Sequence, residues 1–400
     1  MKYIILVPDG MADVPVDELN GRTCMEAANI PNMDMVARKG KVGTVKNVPR
    51  GMQPASDVAN LSILGYDPRK YYCGRGPFEA ANLNVALDKN NVAFRFNTIT
   101  VSENKMADYS AGHISTAEVK LLVDVLNEEL GDERYSFYAG CSYRNLLKVT
   151  CSSPEEADML SDVQCSPPHD ILDKPLKKFM PKNDELTALM ERSRELFKNH
   201  DVNKVRVDLG QNPADMIWLW GQGKKPDMPV FKDAYGITGG IISAVDLIKG
   251  IGKILELEVV DVPGATGYYD TNYEGKADAA LEVLKHKDLV FVHVEAPDEA
   301  GHNGDILAKI NAIENFDSKI VGKIVRALTG RESFRILLLP DHPTPVYKRT
   351  HTIDPVPFAV AGDGITADEV AVFSENSAKA GSLNIKNGHE LMGLLLGDKL

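Results

Sequence analysis

Three short apolar segments of this 400-residue chain each run into an acidic residue. Tyr3 to Val7 leads into Pro8-Asp9-Gly10. Leu289 to Val294 leads into Glu295-Ala296-Pro297-Asp298-Glu299-Ala300-Gly301-His302. Ile336 to Leu339 leads into Pro340-Asp341-His342, and His351 follows a little downstream in Arg349-Thr350-His351-Thr352. In open α/β sheets, ligands bind outside the carboxyl ends of the strands. Several carboxylates gathered there repel one another and resist ionisation unless divalent cations remove the penalty. Asp oxygens mixed with His nitrogens suit Zn or Mn better than Ca. The set Asp9, Asp298, His302, Asp341, His342 and His351 is large enough for two ions. Two-metal sites, with ions about 3.5–4 Å apart, are typical of phosphoryl and ester chemistry. One Asp after a strand is more often a turn residue or a helix cap. Its recurrence at three strand ends, with three histidines, points to a metal centre.

A nucleophile is also in view. Pro54-Ala55-Ser56-Asp57-Val58-Ala59-Asn60-Leu61 begins an amphipathic helix with Ser56 at its N-terminus. A Ser in that position is commonly just an N-cap. Beside a metal set, a hydroxyl facing the positive end of a helix is suited to attack a phosphate.

The elements that must position these groups are legible as patterns. Val-, Ile- and Leu-rich runs without alternation predict strands buried on both faces. Apolar spacings of three and four in Leu281 to His286, Ile306 to Leu328 and Ile241 to Leu257 predict helices between them. Together they imply an α/β fold with a doubly wound sheet. The stretch 90–181 differs. Val92 to Val101 alternates, Ala117 to Leu130 is helical, Phe137 to Val149 supplies further strands, and a Pro-rich segment follows. It predicts a smaller α+β domain at 90–181 inserted into a catalytic domain made of 1–89 and 182–400.

Composition excludes several classes. With 45 Lys and Arg against 57 Asp and Glu, the net charge of −12 argues against broad binding to nucleic acid or anionic membranes. An anionic small substrate stays compatible, because local cations can reverse the field in one cleft. No apolar run reaches the 18 or more residues of a membrane span, and the N-terminal apolar run is too short for a signal peptide. Cys24, Cys73, Cys141, Cys151 and Cys165 form no CxxC pair and read as reduced thiols of a cytoplasmic protein. Oligomeric state leaves no mark in the sequence.

The ordered motifs VPDGMAD (7–13), SDVANLSILGYDP (56–68), GRGPFEAA (74–81), DYSAGHIS (108–115), SYRNLL (142–147), PPHDI (167–171), DEAGH (298–302) and PDHPTP (340–345) span the chain. In them it resembles the archaeal-type 2,3-bisphosphoglycerate-independent phosphoglycerate mutases of the alkaline phosphatase superfamily. The resemblance implies an alkaline-phosphatase-like α/β domain with an inserted substrate domain. It implies two divalent ions, usually Mn2+ with Zn2+, Co2+ or Mg2+ as alternatives, and no bisphosphoglycerate. It also implies a phosphoserine intermediate on Ser56. Asp9, Ser56, Asp341 and His342 match the ligands of one ion, and Asp298, His302 and His351 those of the other. His113, Arg144, His169, Asp170 and Lys232 are the expected substrate-binding residues. Two chain crossings between domains, before Val92 and at Met180-Pro181-Lys182, allow a hinge whose closure keeps water from the phosphoenzyme. The same group includes proteins similar to proposed homoserine kinases. That alternative needs a nucleotide donor, and the chain has no GxxxxGK[ST] loop. A phosphomonoesterase on the same core and a non-enzymatic metal-binding protein are the remaining alternatives.

Overall fold

The computed structural model describes residues 1–397. The chain forms two compact units, one from residues 1–72 with the chain from 228 onward, the other from residues 73–227.

The first unit is built on an eight-stranded sheet. Its spatial order is Leu383–Ile385, Gly40–Val45, Val356–Gly362, Phe334–Leu338, Lys2–Pro8, Leu289–Val294, Gly239–Ile242, Glu258–Val260. Only Val356–Gly362 runs against the others. The three apolar segments singled out above are therefore adjacent and parallel, with Lys2–Pro8 in the middle. Ile4, Ile5, Leu6 and Val7 are fully buried, and each such side chain contributes roughly 1.5–3 kcal/mol. Register then sets the site. Pro8 pairs with Val294 and Leu6 with Leu338, so continuing the second pairing by three residues brings Asp341 level with Asp9.

The helical spacing in Ile306 to Leu328 gives a continuous rod: Ile306–Asn315, a π-helical turn Phe316–Val321, then Gly322–Leu328. Asp317 in the π-turn is buried and faces the start of the Pro31–Arg38 helix, whose N-cap Ile30 offers no side-chain cap. Its carboxylate accepts from the Met33 N–H at 2.7 Å and from Asn32 Nδ2 at 2.7 Å. The expected helix from Ile241 to Leu257 is corrected: Gly239–Ile242 is a strand paired with Leu289–Val294, and the helix covers only Asp246–Ile254. A short buried apolar run satisfies either period.

In the second unit the long Asn91–Ser102 strand lies antiparallel to Arg144–Thr150, to Lys105–Asp108 and to Met216–Gly223. Thr116–Leu130 is helical, with Ser115 and Glu118 forming a capping box. The α+β character is as expected, but the boundaries at 90–181 are not. Met216–Gly223 pairs with Asn91–Ser102 from Ala93 to Ile99, and Leu186, Met190 and Phe197 of the Asp184–Lys198 helix share one core with Phe94, Phe96 and Trp218. The chain thus stays in this unit long after 181. At the other end, a Cβ on Gly223 would lie 1.5 Å from the Cys73 carbonyl oxygen, so this strand end needs glycine. No disulfide joins the cysteines, and no described helix is long and apolar enough to cross a membrane.

Asp317→Ala should lower stability by about 1–3 kcal/mol, since it strips the acceptor from the helix start. The reading is a reduced urea midpoint at unchanged slope. An unchanged midpoint would show that this helix needs no cap from the π-turn.

Candidate active site

Asp9 begins the turn after Lys2–Pro8, and its N–H still donates to the Val294 carbonyl at 2.9 Å. Gly10 follows at φ +61°, where a Cβ would stand 2.5 Å from Asp298 Oδ1. Glycine is therefore what lets the Asp9 turn close on Asp298. Asp341 is held firmly: its Oδ1 accepts from the N–H groups of Gly10 (3.0 Å) and His342 (2.8 Å), and its Oδ2 from Asn60 Nδ2 (2.8 Å). Asp9 is not. It is 1% exposed, yet neither carboxylate oxygen receives a hydrogen bond. His293 Nε2 lies 3.0 Å from its Oδ2 and His342 Nε2 3.5 Å from its Oδ1; these contacts have proximity without hydrogen-bond alignment. Burial first, then the charges of Asp341 and Asp298, hold the Asp9 carboxyl well above the usual range. His293 is pushed the other way, down to about 4, chiefly by burial.

Ser56 opens the Ser56–Ile63 helix, but the N-cap is Ala55 and no side chain caps this helix. The Ser56 hydroxyl is thus not spent on capping. Its Oγ sits 3.1 Å from His342 Nε2. The tautomer of His342 follows from its other nitrogen. Thr344 Oγ1 donates its single proton to Asp298 Oδ1, so at 3.3 Å it can only accept from His342 Nδ1. Nε2 therefore presents a lone pair toward Ser56 and Asp9. Burial, then the neighbouring His351, hold His342 well below its usual pKa and keep it neutral.

Asp298, His302 and His351 form a second convergence. Each imidazole Nδ1 donates to a backbone carbonyl, His302 to Arg349 at 3.0 Å and His351 to Pro54 at 3.1 Å. In the neutral rings both Nε2 lone pairs then face each other at 2.9 Å, with Asp298 oxygens 3.1 and 3.3 Å away. Two lone pairs and a carboxylate aimed at one point call for a cation. Burial opposes protonation of His302, but Asp298 outweighs it and raises His302 to about 9. Carbonyl-anchored imidazoles of this kind are the usual supports of metal-ligating histidines.

By distance the ligand atoms fall into two groups, Asp9–His293–Asp341 and Asp298–His342–His351. His342 stands between them: its Nε2 is 3.5 Å from Asp341 Oδ2 as well, while its ring stacks on His351 with centroids 3.9 Å apart. Mixed nitrogen and oxygen donors, buried oxygens without partners and fixed tautomers all fit divalent cations. Sequence reasoning missed His293, Thr344 and Asn60. The signal for His293 was one polar residue inside an otherwise apolar strand, LVFVHV.

In the second unit, aromatic rings link most of the remaining candidates. His113 lies against Tyr143 (5.8 Å), Tyr143 against Tyr109 (5.8 Å), Tyr109 against His169 (6.3 Å) and His169 against Trp220 (5.4 Å). The Arg144 guanidinium lies over Tyr143, and those of Arg75 and Arg95 over Trp220. Arg95 is nearly buried and paired with Glu79 at 2.8 Å. Burial lowers it to about 10 against the pull of Glu79, and the nearby cations Arg144 and Arg75 add to the lowering. Neighbouring guanidiniums on aromatic faces make an anion-receptive surface. Asp170 is exposed, 3.8 Å from His169 Nε2. Lys232 lies apart from these residues in sequence and unit, exposed on the Phe231–Tyr235 helix of the first unit, with no hydrogen bond or ion pair to the metal-ligand cluster among the described residues.

Residues 37–203 match the family model described as 2,3-bisphosphoglycerate-independent phosphoglycerate mutase. A protein of that name from Methanosarcina barkeri is 50% identical over 404 residues, covering 100% of both chains. Another from Methanothrix thermoacetophila is 50% identical over 400 residues, covering 99% of this chain and 100% of that one. Among solved structures, a cofactor-independent phosphoglycerate mutase from Thermoplasma acidophilum is 30% identical, covers 99% of each chain and superposes with a TM-score of 0.67. A Pyrococcus horikoshii protein superposes with a TM-score of 0.84 at 31% identity, over 99% of this chain and 96% of that one. Identity of this extent runs across nearly the whole of this chain and of its relatives, and the chain belongs to the 2,3-bisphosphoglycerate-independent phosphoglycerate mutase family.

Proposed function

We propose that the chain interconverts 3-phosphoglycerate and 2-phosphoglycerate through a phosphoserine on Ser56, without bisphosphoglycerate. The observation that carries this is the Ser56 hydroxyl, uncommitted to capping and 3.1 Å from His342 Nε2 among two sets of converging ligands. Divalent cations, Mn2+ by resemblance, held by Asp9, Ser56, Asp341 and His342 and by Asp298, His302 and His351, would neutralise phosphoryl charge and acidify that hydroxyl.

Ser56 Oγ attacks the phosphorus in line. The new bond is Oγ–P, and the bond broken joins phosphorus to the 3-oxygen, which leaves as the glycerate hydroxyl. The positive end of the Ser56–Ile63 helix favours the phosphate charge. The glycerate 2-hydroxyl then attacks the phosphoserine, its oxygen replacing Oγ on phosphorus, and Ser56 is regenerated. Arg144, with His113 and His169, receives the carboxylate and hydroxyls of glycerate, as bidentate guanidinium recognition suits. Asp170, exposed beside His169, joins them as a substrate-binding residue. Lys232, exposed on the Phe231–Tyr235 helix, would offer its ammonium to the phosphate.

Three outcomes test this. Metal-reconstituted protein should isomerise 3-phosphoglycerate with no bisphosphoglycerate added, and Ser56→Ala should cut the rate roughly 10⁴-fold or more while retaining most metal binding. Near-wild-type isomerisation by Ser56→Ala would end the proposal. Release of free phosphate in place of isomerisation would make the chain a phosphomonoesterase, and ATP-dependent phosphorylation of homoserine would make it a kinase. Removal of divalent ions should abolish activity, and re-addition restore it. Finally, His302 is raised to about 9 from 6.5 in the metal-free protein. A raised folded pKa stabilises fully below the unfolded value and is lost as pH rises through the folded one. Metal-free protein should therefore lose thermal stability between about pH 6.5 and 9, and Mn2+-loaded protein should not. Identical pH dependence of the two forms would show that no cation replaces that proton.

A further inference from the structure

We infer that His293 is a ligand of the ion bound by Asp9 and Asp341, in addition to the ligand set that the motifs imply. The inference rests on the reading of this centre as a divalent-cation site. His293 lies in the Leu289–Val294 strand and pairs with Val7, so the parallel register sets its imidazole beside the strand that ends in Asp9. The side chain is fully buried. Its Nε2 is 3.0 Å from Asp9 Oδ2, yet both atoms, and Asp9 Oδ1, lack a hydrogen bond.

A core histidine without a ligand role uses both ring nitrogens. Here only one is engaged: Nδ1 lies 3.2 Å from Ser243 Oγ, which also accepts the Val245 N–H at 3.0 Å. The His293 backbone is pinned by Lys276, buried beneath it, whose Nζ donates to the His293 carbonyl at 3.1 Å. Ring and backbone are thus both held, and the one free nitrogen points at two carboxylates. Three unsatisfied buried atoms converging on one point are what a cation would join. A second imidazole beside His342 also has a chemical consequence. It strengthens the preference of this mixed donor set for first-row transition ions over Mg2+.

The first test uses wild-type protein with nitrogen-labelled histidine, loaded with an NMR-active cadmium isotope. Direct metal–nitrogen coupling is expected at His293 together with His302, His342 and His351. Absence of coupling at His293 while the other three couple overturns the inference and leaves the metal-centre reading intact. Absence of coupling at all four overturns both. A second test titrates metal-free wild-type, His293→Ala and His293→Gln protein with Mn2+, with Mg2+ and with Co2+. One of the bound ions should weaken by roughly tenfold or more, the preference for Mn2+ over Mg2+ should fall, and the visible spectrum of the Co2+ form should change. A lowered melting temperature with unchanged affinity, selectivity and spectrum would mark His293 as structural and overturn the inference.

Discussion

Electrostatic repulsion organises this molecule. Parallel pairing of three buried strands delivers Asp9, Asp298 and Asp341 to one edge, where burial denies them water to screen their charges. A fold cannot hold such a cluster cheaply unless something positive is supplied. Much of the surrounding structure answers that constraint. Asp341 is surrounded by donors, Asp298 is faced by two imidazoles, and Asp9 is left with oxygens that receive no hydrogen bond among the described residues.

Keeping the cluster in register requires cross-links between loops that are far apart in sequence. Lys309 is buried on the Ile306–Asn315 helix and donates at 2.8 Å both to Asp13 Oδ2 and to the Thr344 carbonyl. It thereby ties the turn that carries Asp9 to the turn that carries Asp341 and His342. Thr344 then links Asp298 to His342 by donating to the first and accepting from the second. Asn60 spans from the Ser56 carbonyl to Asp341, one helical turn along from Ser56. Each link is a hydrogen bond to a charged or backbone group in a dry setting, where loss of one partner strands the other.

The second unit answers the opposite need. Its cations Arg75, Arg95 and Arg144 are held on aromatic faces, and Arg95 also pairs with Glu79 in the interior. Stacking on an aromatic face holds a guanidinium in place. The chain's overall −12 charge coexists with such a patch because recognition is local.

The sequence by itself determined the local features: apolar strands without alternation, an Asp at the end of each of three, a helix starting at Ser56, and motifs that carry the family. These depend on neighbours within a few residues, through side-chain periodicity and turn chemistry. Only the tertiary structure decided what those features meet. The level placement of Asp9 and Asp341 comes from strand register, which no single strand specifies. That the half-buried Ser56 hydroxyl does not cap its helix came from Ala55 taking the N-cap position. His293 was hidden because a polar residue in a buried strand looks like any core histidine until its partner strand is known. The second unit runs to 227 instead of 181 because Met216–Gly223 pairs with a strand more than a hundred residues earlier. Pairing at that separation is settled by which apolar faces fit together across the sheet, and local periodicity is blind to it.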